Sequence, residues 1–191
     1  MNSAFFRRRT IRGLSTVLGA TAVLAACSGP EPVTTLPAPS TTSSPDTTCP
    51  APGIKLTAGE VDGAMGLRAL GILLTNCGTG DYTANGYPVV RVLDASQQPL
   101  DVTIGNGSAP VSAPDSYDAP PQPVTVRPGE QVTARVLWRN TVTDSTVPAT
   151  NGQYLEIAAA AGEPPQLVTP AGGIDLGNTG RLAVNAWAVR G

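Results

Sequence analysis

Three groupings in this 191-residue chain hold residue types that do chemistry. The first is carboxylic. Asp94 and Asp101 flank one expected turn, and two carboxylates facing across a cleft are the machinery of glycoside cleavage. Aspartates beside turns also accept bonds from the turn's own amides, and that plainer role is the one expected here. The second is Asp115-Ser116-Tyr117-Asp118, in the middle of Gly105–Pro123. It offers two carboxylates, a hydroxyl and a ring. A calcium site needs ~6–8 oxygens in a shaped loop, and no EF-hand spacing is present. Asp115, Tyr117 and Asp118 are therefore read as contacts for a partner, on a long mobile loop. The third is Gly172–Thr179, GGIDLGNT. It has the glycine spacing of a phosphate-binding loop, but Asn178 stands where the lysine should be. It reads as a Gly-rich turn in which Asp175 and Asn178 bond the turn's own backbone.

The chain contains no His. That removes Ser-His-Asp and Cys-His catalysis and every imidazole metal site. Two tryptophans could stack on a sugar. Trp138 lies on an alternating strand and reads as core, whereas Trp187 lies opposite a small Leu-Val-Ala face and is a candidate contact. No catalytic residue, no metal and no cofactor are expected, so the chain is read as not an enzyme.

The amino terminus reads as an address. Arg7, Arg8, Arg9 and Arg12 precede fourteen uncharged residues, Gly13–Ala26. That core is shorter than the ~20 apolar residues of a membrane span and fits a secretory signal. It ends Leu24-Ala25-Ala26-Cys27, which resembles the bacterial lipobox. Residues 1–26 are expected to be a lipoprotein signal peptide and Cys27 the lipidated residue, with the protein on the extracytoplasmic face of the cell membrane. The triple Arg is twin-arginine-like but lacks the usual Phe-Leu pair. From Cys27 onward there are 8 basic and 14 acidic residues, a net of −6. That charge argues against nucleic acid as a partner and against polybasic membrane contact. Attachment to the membrane is expected through the N-terminal lipid.

Positioning elements follow from composition. Gly and Pro together number 40 of 191, against an ordinary ~12 %, and both penalise helix interiors. Of the 21 residues Ser28–Thr48, 15 are Ser, Thr or Pro. Such a segment cannot bury enough apolar area to offset backbone ordering, so residues 27–48 are read as a disordered, semi-rigid tether. Residues 49–191 form the domain. Cys49 and Cys77, an even pair in an exported domain, read as one disulfide. Strands are expected over Arg68–Asn76, Tyr87–Asp94, Pro99–Ile104, Val124–Arg127, Gln131–Arg139, Tyr154–Ala159, Gln166–Thr169 and Arg181–Arg190. Tyr87–Asp94 and Pro99–Ile104 look like a hairpin, and Pro128-Gly129 fits the centre of a type II turn. Val132, Ala134, Val136 and Trp138 form the inner face of their strand, with Arg135 and Arg139 outward and solvated. A helical turn is expected over Thr57–Ala64, with Thr57 as cap and Glu60 three residues on. The whole reads as an all-β, Ig-like antiparallel sandwich of about seven or eight strands.

Asn85-Gly86-Tyr87-Pro88, Val92-Leu93-Asp94, Arg127-Pro128-Gly129-Glu130 and Trp138-Arg139-Asn140 carry a resemblance. Over about Cys49–Ala188 the chain resembles the actinobacterial lipoproteins of the domain-of-unknown-function family 4232. That resemblance implies a secreted, often lipid-anchored β-sandwich with one disulfide and brings no functional residues. The expected function is a monomeric, non-enzymatic, lipid-anchored binding module for an envelope protein or glycan. The alternative is a structural or chaperone-like accessory of an envelope complex, and a carboxylate hydrolase ranks last.

Overall fold

The computed structural model describes residues 49–189. The expected signal peptide over 1–26, the lipidation site Cys27 and the tether to residue 48 lie outside the described residues. Thirteen strands and no helix occur among the described residues. They are β1 (Ile54–Ala64), β2 (Leu67–Asn76), β3 (Tyr82–Ala84), β4 (Val89–Leu93), β5 (Thr103–Asn106), β6 (Val124–Val126) and β7 (Gln131–Arg139). After these come β8 (Asn151–Gly152), β9 (Tyr154–Ala158), β10 (Gln166–Val168), β11 (Ile174–Asp175), β12 (Arg181–Val184) and β13 (Ala188–Val189). The number exceeds the expected seven or eight because two-residue ladders such as β8, β11 and β13 carry no alternation to read.

The larger sheet has the order β1-β2-β7-β12-β5, with β13 also beside β7. The smaller has the order β10-β9-β4, and two short ladders pair β11 with β8 and β3 with β6. All pairs are antiparallel except β5 with β12, which run parallel, a departure from the purely antiparallel expectation. The two sheets share one apolar core. Leu70, Ile72 and Leu74 of β2, Val132, Val136 and Trp138 of β7, and Leu182 and Val184 of β12 meet Val90, Val92, Leu155 and Ile157 of the smaller sheet. This burial drives the sandwich.

One side chain ties the sheets at their edges. The Gln166 amide donates to the Ile54 carbonyl at 3.0 Å and accepts from the Leu56 N–H at 2.9 Å. It satisfies two edge groups of β1 that would otherwise be open. At the same end of β1, just before Ile54, Cys49 and Cys77 form the expected disulfide, with Cα atoms 5.6 Å apart. Beside it, buried Asn76 donates to the Gly80 and Val126 carbonyls and accepts from the Gly78 N–H. The type II turn is also present: the Glu130 N–H donates to the Arg127 carbonyl at 2.9 Å and Gly129 has φ +84°.

Three local expectations are corrected. Thr57–Ala64 is strand, not helix. Its register against β2 slips by one residue between Ala58 and Val61, which is a β-bulge. The bulge interrupts the alternation that marks a strand, and the cap-like spacing of Thr57 and Glu60 falls across it. The hairpin from Tyr87–Asp94 to Pro99–Ile104 stops after a single bridge, Leu93 to Pro99. β4 then pairs with β9, and the chain crosses so that β5 pairs with β12 in the larger sheet. The final strand is broken between β12 and β13. Leu182 faces Trp138, but Ala188 faces Thr133, one residue out of step. That extra residue reverses the alternation and turns Trp187 into the core, 2 % exposed.

Candidate functional site

Strand β7 is buried on both faces. Val132, Ala134, Val136 and Trp138 point into the core as expected, yet Leu137 on the opposite face is also 0 % exposed. Its register partner Ala183 is equally covered. The cover is the segment from Gly107 to Pro123, which lies as a strap over the outward face of the larger sheet. The expectation of an untied, mobile loop is corrected here. Gly107 N–H donates to the Val184 carbonyl at 2.8 Å, and Arg139 Nε donates to the Val111 carbonyl at 2.7 Å. Pro110 sits on Gly105, where a Cβ would fall 2.5 Å from Pro110 Cγ. Arg135 and Arg139, expected to be solvated, are instead attachment points.

Asp118 fastens the strap to itself and to the sheet. Its carboxylate accepts from the Ser108 N–H at 2.6 Å, the Asp115 N–H at 2.8 Å and Asn185 Nδ2 at 3.0 Å. Desolvation works to raise this carboxyl, but the hydrogen bonds outweigh it and hold it below the ordinary aspartate value. Asp115 pairs with Arg135 at 3.4 Å. The same guanidinium lies over the Tyr117 ring, 3.8 Å from its centroid, a cation–π contact.

Between the strap and the sheet is a hollow of about 380 Å³. Tyr117, Pro120 and Gln122 line it from the strap, and Arg135, Asn185 and Trp187 from the sheet. The four contact residues read from sequence therefore gather at one place in two roles. Tyr117 and Trp187 line the hollow, while Asp115 and Asp118 hold its Arg135 and Asn185. Trp187, read from sequence as a candidate contact, is 2 % exposed. It is part of the core, with Nε1 donating to the Ala159 carbonyl at 2.8 Å, and it walls the hollow from within.

Asn185 went unread in the sequence, and it is the most informative residue of the site. It is 2 % exposed and borders the hollow. Its Nδ2 is oriented by Asp118 and, at 3.4 Å, by Ser108 Oγ. A flipped amide would set oxygen against the Asp118 carboxylate, so the orientation is fixed. Its Oδ1 is the one buried side-chain nitrogen or oxygen among the described residues without a hydrogen-bond partner. Such groups are costly unless something supplies a donor.

Of the other carboxylates singled out in the sequence, Asp94 and Asp175 are already engaged. Asp94 accepts from the Ser96 and Gln98 amides of its own turn, as expected, while Asp101 is exposed and unpaired. Asp175 bonds its own backbone amide, as expected, and also reaches further. It accepts from Trp138 Nε1 at 2.9 Å and Asn140 Nδ2 at 3.0 Å and pairs with Arg68 at 3.5 Å. Desolvation raises its carboxyl, and these three contacts together with its own backbone amide more than reverse that. Asn178 likewise reaches away, accepting from Thr143 and donating to the Asp144 carbonyl. Tyr82 donates to Glu163 at 2.8 Å; desolvation, then Glu163, pushes its hydroxyl up beyond the usual tyrosine range. No group of three metal-ligating residues occurs among the described residues.

Neither the curated proteins nor the solved structures offer a match to this chain. A protein-family comparison does match residues 49–188, which is the whole sandwich from the first disulfide cysteine to β13. The chain thus belongs to the family described as "Domain of unknown function (DUF4232)".

Proposed function

We propose that this protein is a non-enzymatic binding module, held by a lipid on Cys27 at the extracytoplasmic face of the cell membrane. It takes a segment of an envelope protein or glycan into the hollow under the strap. The observation that carries this reading is the unpartnered, buried Oδ1 of Asn185, a residue that borders that hollow. An acceptor without a donor selects a ligand bearing an N–H or O–H. Tyr117 and Trp187 supply apolar walls for its body, and Arg135 supplies further donors. The binding reading over a hydrolase is supported by Asp94, one of the two carboxylates of the expected pair, which serves the amides of its own turn instead of facing a cleft. The accessory-subunit reading draws its support from the smaller sheet, whose outer face leaves Val89 45 % and Leu167 48 % exposed.

The test is native mass spectrometry of the full chain purified from its own membranes. A retained adduct is expected on the wild type and lost in Ala188→Trp, which fills the hollow from an exposed position. An adduct that survives Ala188→Trp, or none on either protein, counts against the site.

A further inference from the structure

The strap has a second side. Where it crosses Gly105, it separates the Asn185 hollow from another of about 320 Å³, lined by Pro110, Val111, Arg139, Thr143, Asn178 and Arg181. The register of β7 with β12 runs Val184 to Val136, Ala183 to Leu137 and Leu182 to Trp138. Its next step sets Arg181 opposite Arg139, on the outward face. Like charges directly opposite on neighbouring strands repel. Four of the six described arginines, Arg68, Arg91, Arg127 and Arg135, each hold a carboxylate. The two without one are the two that stand side by side. This occurs in a chain whose acidic residues outnumber its basic ones. Arg139 uses only Nε, toward Val111, and the Arg181 side chain makes no hydrogen bond among the described residues. The hydroxyls nearby are already donating, Thr143 to Asn178 and Thr179 to the Leu176 and Arg139 carbonyls. The free donors of this hollow are therefore guanidinium N–H groups.

We propose that Arg139 and Arg181 form a phosphate-binding site, with Pro110 and Val111 as its apolar wall. Two guanidinium forks match a phosphate dianion in charge and in donor geometry. A carboxylate would neutralise only one of them. The bound group relieves the repulsion between the two arginines, which gives the site its selectivity. The phosphate comes either from a small soluble molecule or from a lipid headgroup.

The test uses the full chain with ¹⁵N-labelled arginine and follows the Nε–H signals through an inorganic phosphate titration at constant ionic strength. The Arg139 and Arg181 signals are expected to move and saturate with a dissociation constant of roughly 1 mM, while the Arg135 signal stays. Arg181→Gln keeps the fold, since its side chain bonds nothing, and is expected to weaken binding about tenfold. A second arm compares partition of wild type and Arg181→Gln between phosphatidylglycerol and phosphatidylcholine vesicles. Preference for phosphatidylglycerol that Arg181→Gln removes supports the site with a headgroup source. Saturation without that preference supports it with a soluble source. A linear, unsaturated response, equal movement of Arg135, or an Arg181→Gln titration like the wild type overturns the proposal.

Discussion

Gly105→Ala isolates the seating of the strap on the sheet. The added methyl would lie 2.5 Å from Pro110 Cγ and 3.4 Å from Pro110 Cβ. Carbon pairs rest near ~3.5–4.0 Å, so one side has to move by about 1 Å. Pro110 belongs to a rigid ring and cannot rotate away. Overpacking of this kind costs ~1–3 kcal/mol, and replacing a strand glycine with alanine returns ~0.5–1 kcal/mol. The net is a loss of about 1–2 kcal/mol, or roughly 3–7 °C in Tm for a domain of this size. The assay is thermal and urea denaturation, paired with hydrogen exchange at Gly107 and Ser112, whose amides bond the Val184 and Ser108 carbonyls. Those two amides are expected to lose protection while β2 keeps its own. In a Pro110→Ala background the obstructing ring is gone, and Gly105→Ala is expected to be neutral or stabilising. That coupling identifies the contact. If Gly105→Ala leaves Tm and exchange unchanged, or destabilises equally with Pro110→Ala present, the strap does not rest on Gly105.

Further predictions follow the same logic. Opening the Cys49–Cys77 bond, 28 residues apart, is expected to cost about 3.5 kcal/mol on the chain-entropy account, read as a urea midpoint shift after reduction and capping. Asp118 and Asp175 have carboxyls held below the ordinary value. Their stabilisation is therefore whole above the unfolded pKa of ~3.9 and is lost as pH falls through the lower folded values. Tm should fall below about pH 4, and Asp118→Asn with Asp175→Asn should flatten that acid limb; a Tm that rises in acid contradicts it. Met65 and Gly66 turn the β1–β2 hairpin with φ +50° and +79°, and Met65 is 99 % exposed. Met65→Asn suits that left-handed turn and should add about 0.5–1 kcal/mol. Cys27→Ala should move the protein from membranes to the soluble fraction, and an unmodified Cys27 on the mature wild type would falsify the tether.

Regular alternation was legible in the sequence and irregular alternation was not. Val132 to Trp138 announced both a strand and its inner face, and two cysteines announced their bond. The errors over Thr57–Ala64 and Trp187 share a cause. Each sits at a one-residue slip in register, and a bulge erases the period on which strand reading depends. The strap was found as a long segment, but not as a cover. A signal for it existed. Gly105 and Ala183 are small residues paired across β5 and β12, on the outward face that also holds Leu137. Small residues on a supposedly solvated face leave room for another layer of chain. Asn185 carried no such signal, because its meaning depends on Asp118 and Ser108, 67 and 77 residues away.

The central claim, that the hollow beside Tyr117 is where a partner is held, is tested most directly by photo-cross-linking in cells. A benzophenone side chain replaces Tyr117 in one strain and exposed Leu167, on the other sheet, in a second. The account predicts an adduct from position 117 that is absent from position 167 and disappears when Ala188→Trp fills the hollow. Equal adducts from both positions, or an adduct at 117 indifferent to Ala188→Trp, would contradict it.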